Sequence, residues 1–180
     1  MGRESYDISG MLAERIRIVP DFPSPGVSFR DITPVLADPA LLTLVIDALA
    51  SSAGSEIDKV VGIESRGFIL AAPIAYKIGA GLVPLRKEGK LPWETHGVAY
   101  SLEYGTETLE VHQDAFQPGD RVLVIDDVLA TGGTAGAAVD LIRRCGAVVV
   151  GVSVLLELPD LLGRAKLPDI EVRSLYVADT

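Results

Sequence analysis

The chain has 180 residues, 48% of them hydrophobic and 23% charged, and a formal net charge of −9. That length suits one domain with a substantial core, and residues 1–180 are taken as such. The acidic balance argues against a general nucleic-acid binder, no apolar run approaches the ~18 residues of a membrane span, and the single cysteine, Cys145, rules out an intrachain disulfide or a cysteine metal cluster.

The opening segment mixes charges with apolar residues and lacks a signal-peptide core, so the cytoplasm is the expected location. Leu12, Ile16 and Val19 recur at helical spacing, which predicts a helix over Leu12–Ile18 that Pro20 ends. The proline-rich stretch Asp21–Leu36, DFPSPGVSFRDITPVL, predicts a constrained extended loop rather than a strand or a helix. Its Phe22 and Phe29 either cap the core or touch a ligand. Pro39–Ser52 predicts a helix, with Asp38 as N-cap, Pro39 in the first turn and Leu41, Leu42, Val45, Ile46 and Leu49 on its apolar side. Lys59–Ile63 reads as a buried strand. It runs into Glu64-Ser65-Arg66-Gly67 and a helix over Phe68–Ile78 that Pro73 is expected to kink. Arg66 either forks onto a phosphate or pairs with Glu64.

Gly81–Leu85 is a further strand, followed by the cations Arg86, Lys87 and Lys90. In an acidic chain, and with a phosphate site legible further on at Ala130–Thr134, we read these as anion contacts rather than as a solvated basic turn. Leu91–His112 opens with turn residues and then alternates, with Thr106, Thr108, Glu110 and His112 set against Leu109 and Val111. That pattern predicts a two-stranded flap with one solvated face, over about residues 88–113. Trp93, Tyr100 and Tyr104 are placed beneath it. His96 and His112 lack metal-site spacing and are placed on the surface.

Val122–Ile125 follows the turn signal Pro118-Gly119-Asp120 and reads as a strand buried on both faces. Asp126 and Asp127 come next, pointing to opposite faces if the strand continues. Ala130-Thr131-Gly132-Gly133-Thr134 then lets several backbone N–H groups converge on one anion. A helix over Ala135–Arg144 points its positive end at the same place. Strand, acids, glycine loop and helix end together make a site for a phosphate ester with hydroxyls beside it. The loop is neither a GxxxxGK[ST] nor a GxGxxG. Leu141, Ile142 and Cys145 are expected to bury the helix face. Ala147–Leu156 is another apolar strand, Glu157–Pro168 a loop with a short turn, and Ile170–Val177 an edge strand with Glu171 and Arg173 outward. Repeated strand–loop–helix units predict an α/β domain of three layers around a central parallel sheet.

VLVIDDVLATGGT, Val122–Thr134, resembles the phosphoribosyl pyrophosphate motif of the type I phosphoribosyltransferases. The resemblance implies that Asp126 and Asp127 hold the ribose hydroxyls while Ala130, Thr131, Gly132, Gly133 and Thr134 cradle the 5′-phosphate. FPSPGVSFRDITPVL resembles the N-terminal signature of the adenine-specific members, which makes about residues 1–36 a hood. There Phe29 would stack on the purine, the backbone of Ser28 and Arg30 would read its edge, and Val128 would pack on the other face. Ser65, Arg66 and Gly67 are implied to meet the pyrophosphate together with Arg86, Lys87 and Lys90. Arg86 is also placed to reach a partner's site, because members commonly work as homodimers. A non-proline cis peptide is expected near Glu64-Ser65. YSLEYG resembles the mobile catalytic loop, in which Glu103 reaches the purine's imidazole edge and assists proton transfer. Glu103, Asp126 and Asp127 are thus the implied catalytic set, with Mg²⁺ held mainly by substrate oxygens and water. The implied reaction is adenine plus phosphoribosyl pyrophosphate giving AMP and pyrophosphate, in purine salvage, with no nucleic acid or membrane involved.

Two other readings stand beside it. One is a different base, hypoxanthine or xanthine, on the same scaffold. A backbone C=O beside an N–H at Ser28–Arg30 matches adenine's amino group and ring nitrogen, and a 6-oxo purine would leave those groups unpaired at ~1–3 kcal/mol each. The other is a non-catalytic regulator that only senses phosphoribosyl pyrophosphate. Against it stand the intact SRG and YSLEYG segments and the lack of a basic helix-turn-helix.

Overall fold

The computed structural model describes residues 7–51, 54, 56–102 and 105–178. The first helix, α1, spans Ile8–Arg15 rather than Leu12–Ile18. Asp7 caps it by accepting the Gly10 N–H at 3.0 Å. The chain turns extended at Ile16, and Arg17–Val19 forms strand β1. Its partner is β2, Phe29–Asp31, paired antiparallel with Val19 opposite Phe29. A short helix, α2, follows over Thr33–Leu36. The extended loop expected over Asp21–Leu36 therefore holds a strand and a helical turn. Asp31 explains both: it accepts from the Thr33 N–H and hydroxyl, each at 2.9 Å, and pairs with Arg17 across the hairpin. A carboxylate that satisfies Thr33 two residues on and a distant strand partner override the local proline signal.

Helix α3 spans Pro39–Ser51, and Asp38 caps it by accepting from the Ala40 and Leu41 N–H groups. Then β3, Lys59–Ile63, leads into α4, Arg66–Ile78, which starts earlier than predicted and continues through Pro73. Pro73 removes one rung of the helix ladder without ending it. The remaining elements are β4 (Gly81–Lys87), β5 (Thr95–Leu102), β6 (Gly105–His112), β7 (Arg121–Leu129), α5 (Gly133–Arg144), β8 (Val148–Glu157) and β9 (Val172–Val177). Two 3-10 turns, Pro159–Leu161 and Gly163–Lys166, lie between β8 and β9.

Seven strands form one sheet in the order β5-β6-β4-β3-β7-β8-β9. From β4 to β9 the neighbours are parallel. The hairpin β5–β6 joins antiparallel at the β4 edge, with Lys87 opposite Leu109. The predicted flap is thus an extension of the sheet itself. The strands bury alternate residues on opposite faces. Val122 and Val124 of β7 join α5 in one core, while Leu123 and Ile125 join α1, α3 and α4 in the other. That gives three layers, with β7 at the centre.

Several placements differ from expectation. Trp93 is exposed and meets His112 edge-on, at 6.3 Å between ring centres. His112 is half-buried, with a covered Nε2 that has no hydrogen-bond partner. Cys145 is a free thiol, only half-buried, that packs against the core at the end of α5. Among the described residues, no helix is long and apolar enough to cross a membrane.

Candidate active site

The site forms where β3 and β7 end side by side, at the carboxyl edge of the parallel strands, where open α/β sheets bind ligands. Strand β7 runs past Ile125 to Leu129, so both acids sit on the strand. Asp127 is buried, and Asp126 is partly covered. The Asp127 N–H donates to Asp126 Oδ1 at 2.9 Å, which folds the first carboxylate back along the strand. Burial raises the Asp126 carboxyl well above the usual carboxylate range, and the charge of Asp127 adds to this. Burial raises Asp127 too, opposed by Arg66. The Arg66 guanidinium stands 3.0 Å from Asp127 Oδ2. The pair is not aligned as a hydrogen bond, and Asp127 Oδ2 is buried without a donor.

Arg66 opens α4, just past the cis peptide Glu64–Ser65, which falls where the family resemblance implied one. Arg66 thus pairs with Asp127, not with Glu64. Its guanidinium also lies 5.0 Å from the centre of the Phe29 ring, and Phe29 meets Phe22 edge-on. A cis bond also joins Phe22 and Pro23. Gly67 packs directly on β7: a Cβ there would lie 2.9 Å from the Ile125 carbonyl and 3.0 Å from Asp126 Oδ1. Only glycine lets α4 come this close to the acids.

Beyond β7, Ala130–Gly132 turn over and α5 begins at Gly133. Gly132 takes φ +75°, and a Cβ on it would collide with the Gly163 carbonyl. The 3-10 segment after β8 thus props the loop from behind. Arg164 holds that segment down. It makes two hydrogen bonds to Glu157 at 2.6 Å each and donates to the Val172 carbonyl, while Ser174 also donates to Glu157.

These elements enclose a cavity of about 650 Å³. It gathers Ser65, Arg66, Lys87, Lys90, Asp126, Asp127, Val128 and the run Ala130–Thr134. Ser28, Phe29 and Arg30 are not part of its wall; Phe29 adjoins it through Arg66. Arg86 also stays outside, turned onto Glu64 Oε2 at 3.4 Å and the Lys90 carbonyl at 3.2 Å. Glu103 lies outside the described residues. The wall also includes three polar side chains to which the sequence reading gave no place in the site: Glu64, Tyr100, which it set beneath the flap, and Glu107. Glu64 accepts the Lys87 N–H at 2.8 Å. Its carboxyl is raised by burial but lowered in balance by that bond and by Arg86 and Lys90. Glu107 had a legible signal, because it shares strand parity with the inward Leu109 and Val111.

The residues suit an anionic ester. A helix end and backbone N–H groups face one part of the cavity, Arg66, Lys87 and Lys90 another, and two carboxylates lie between them. The profile of the phosphoribosyl transferase domain matches residues 32–177. The chain is 61% identical over 172 residues to the adenine phosphoribosyltransferase of Thermobifida fusca, covering 95% of this chain and 98% of that protein. It is 60% identical over 170 residues to the one from Acidothermus cellulolyticus, covering 94% and 96%. Among solved structures, the adenine phosphoribosyltransferase of Rhodothermus marinus superposes with a TM-score of 0.91 at 53% identity, covering 95% of this chain and 98% of that one. The Saccharomyces cerevisiae enzyme, complexed with an imino-altritol bisphosphate and adenine, gives a TM-score of 0.88 at 37% identity, covering 93% and 98%.

Proposed function

We infer that this chain, which belongs to the phosphoribosyl transferase domain family, transfers the 5-phosphoribosyl group from phosphoribosyl pyrophosphate to adenine, giving AMP and pyrophosphate. It is a glycosyltransferase of purine salvage. The observation that carries the residue roles is the cavity itself. It joins two adjacent carboxylates, a glycine loop at a helix N-terminus and a cluster of cations in about 650 Å³.

In this reading the 5′-phosphate rests on Ala130–Thr134 and the positive end of α5. The ribose hydroxyls meet Asp126 and Asp127, where a hydroxyl supplies the donor that Asp127 Oδ2 lacks. The pyrophosphate meets Ser65, Arg66, Gly67, Lys87 and Lys90, with Arg86 serving the same cluster. As the bond from the anomeric carbon to pyrophosphate breaks, positive charge grows on the ribose, and the two fixed carboxylates stabilise it. Adenine takes the place of pyrophosphate at that carbon. It lies between Phe29 and Val128, with its edge read by the backbone of Ser28 and Arg30, and Glu103 assists the proton transfer.

Mg²⁺ fits this arrangement as an ion carried by the substrate. The described residues contain no cluster of three or more His, Cys, Asp or Glu able to hold a metal, and Asp126 and Asp127 face the side where the substrate's oxygens would be. It would neutralise the leaving group.

We further read the chain as one domain working in the cytoplasm, with about residues 1–36 as hood and 88–113 as flap. The working form is a homodimer. Helix α4 turns Ile69, Ala72 and Tyr76 outward on one face, and Tyr76 is 91% exposed. A second copy is the natural cover for such a stripe.

The test is pyrophosphate release with Mg²⁺ and phosphoribosyl pyrophosphate, with adenine, hypoxanthine, guanine and uracil in separate reactions. Release with adenine alone is expected. Release with a 6-oxo purine instead overturns the base assignment, and binding without release for every base overturns the enzymatic reading.

A further inference from the structure

The cations expected to hold pyrophosphate are all engaged by acids of the same chain. Glu64 takes Arg86 and, at 3.9 Å, Lys90. Lys87 has a different partner: its Nζ donates to Glu107 Oε1 at 2.7 Å. Glu107 sits on β6 directly opposite Tyr100 of β5, and the Tyr100 hydroxyl donates to its other oxygen at 2.9 Å. The carboxylate is therefore pinned from both sides, inside the cavity wall that also holds Ser65 and Lys90. It is the charged member of an otherwise apolar inner face, with Leu109 and Val111 following it. A solvated surface acid needs no such fixing.

We propose that Glu107 stands in for pyrophosphate at Lys87 in the ligand-free enzyme, so that substrate binds by taking Lys87 from Glu107 and product pyrophosphate leaves as Glu107 takes it back. The proposal rests on the reading that Lys87 contacts pyrophosphate. The Lys87 and Glu107 side chains are 49% and 30% exposed. A pair this open exchanges easily, because its net worth in water is small. The incoming anion carries more charge than one carboxylate and meets Ser65 and Arg66 as well, so exchange runs forward. Without ligand, Glu107 keeps Lys87 aimed into the cavity and lowers the local positive field. Glu107 acts through Lys87 and is a positioning residue rather than a catalytic one.

The experiment uses pyrophosphate with Mg²⁺ as the probe, titrated calorimetrically into the wild type, Glu107→Gln, Lys87→Gln and the double variant. Gln keeps an acceptor for Tyr100 and nearly the same volume, so thermal stability is expected to hold. Glu107→Gln should bind pyrophosphate about two- to fivefold more tightly, the range for releasing a partly exposed ion pair. Product inhibition by pyrophosphate should strengthen equally while the KM for adenine stays put. On the Lys87→Gln background the same change should have no effect. Unchanged or weaker binding by Glu107→Gln overturns the proposal and leaves the reaction standing. A full gain that persists without Lys87 overturns it too, because the effect is then a general field. A wild type that neither binds pyrophosphate nor releases it with adenine overturns the functional reading itself, and this proposal with it.

Discussion

Asp126 and Asp127 are neighbours on one strand, yet their surroundings differ. Asp127 faces Arg66 across 3.0 Å, whereas Asp126 accepts its neighbour's N–H and feels the charge of Asp127 more strongly than that of Arg66. A carboxyl whose folded pKa is raised above its unfolded value stabilises the fold at low pH and loses that contribution as pH rises through the folded value. Asp126 thus lowers the stability of the ligand-free protein at neutral pH. Asp126→Asn should raise the melting temperature at pH 7 and lower turnover. Its stability advantage should fade on acidification toward the unfolded aspartate value of about 3.9. An advantage that is the same at every pH would show that charge is not its cause. The acids were legible because a doubly charged pair at the end of a buried strand has few structural uses. The place of Tyr100 beneath the flap was legible, but its contact with Glu107 was not; the role of Glu64 was not legible either, since an acid near a turn is ordinary until the fold closes around it.

The phosphate loop is held by an element that carries no chemistry. Gly163 lies so close to Leu129 and Ala130 that a Cβ there would meet the Ala130 carbonyl and come within 2.9 Å of Leu129 Cγ. Gly163→Ala should push the loop out of place. The expected result is a KM for phosphoribosyl pyrophosphate raised roughly tenfold to a hundredfold, as misplacement of binding groups typically produces, with the KM for adenine much less changed. Equal changes in both would point to general unfolding instead. The clasp behind the loop titrates. Arg164 holds the Glu157 carboxyl below the ordinary glutamate range, against the opposing effect of burial. A depressed carboxyl stabilises the fold above its unfolded pKa, and that stability is lost as pH falls through the folded value. Wild type should therefore lose stability relative to Glu157→Gln as pH drops below about 4.3. Urea melts of both proteins from pH 7 to 3 would show the gap closing; a constant gap would argue that Glu157 acts by shape alone. Helix and strand periodicity located most of these elements. The exceptions were α1, β1–β2 and the short α2, where a three-residue pairing with a distant strand and the Asp31 contacts to Thr33 defeat local spacing.

Across the whole molecule, the parallel strands place every loop of the site at one edge of the sheet, and the β5–β6 hairpin extends that sheet over the cavity. The outward stripe of α4 makes the quaternary prediction. Tyr76→Asp should convert a dimer to a monomer in sedimentation velocity at micromolar concentration without loss of secondary structure; a persistent dimer would place the interface elsewhere. The three layers followed from composition and periodicity, because strands buried on both faces alternating with amphipathic helices have few other ways to hide their apolar surface. The phosphate loop, the acids and the cation cluster were written locally, as short runs whose chemistry depends on adjacent residues. Which acid meets which cation was not written there. Arg66 lies 61 positions before Asp127 in the chain, and Lys87 lies 20 before Glu107. Those partnerships arise when β3, β4, β6 and β7 take their order in the sheet, and ion pairs between distant residues depend on that order rather than on spacing.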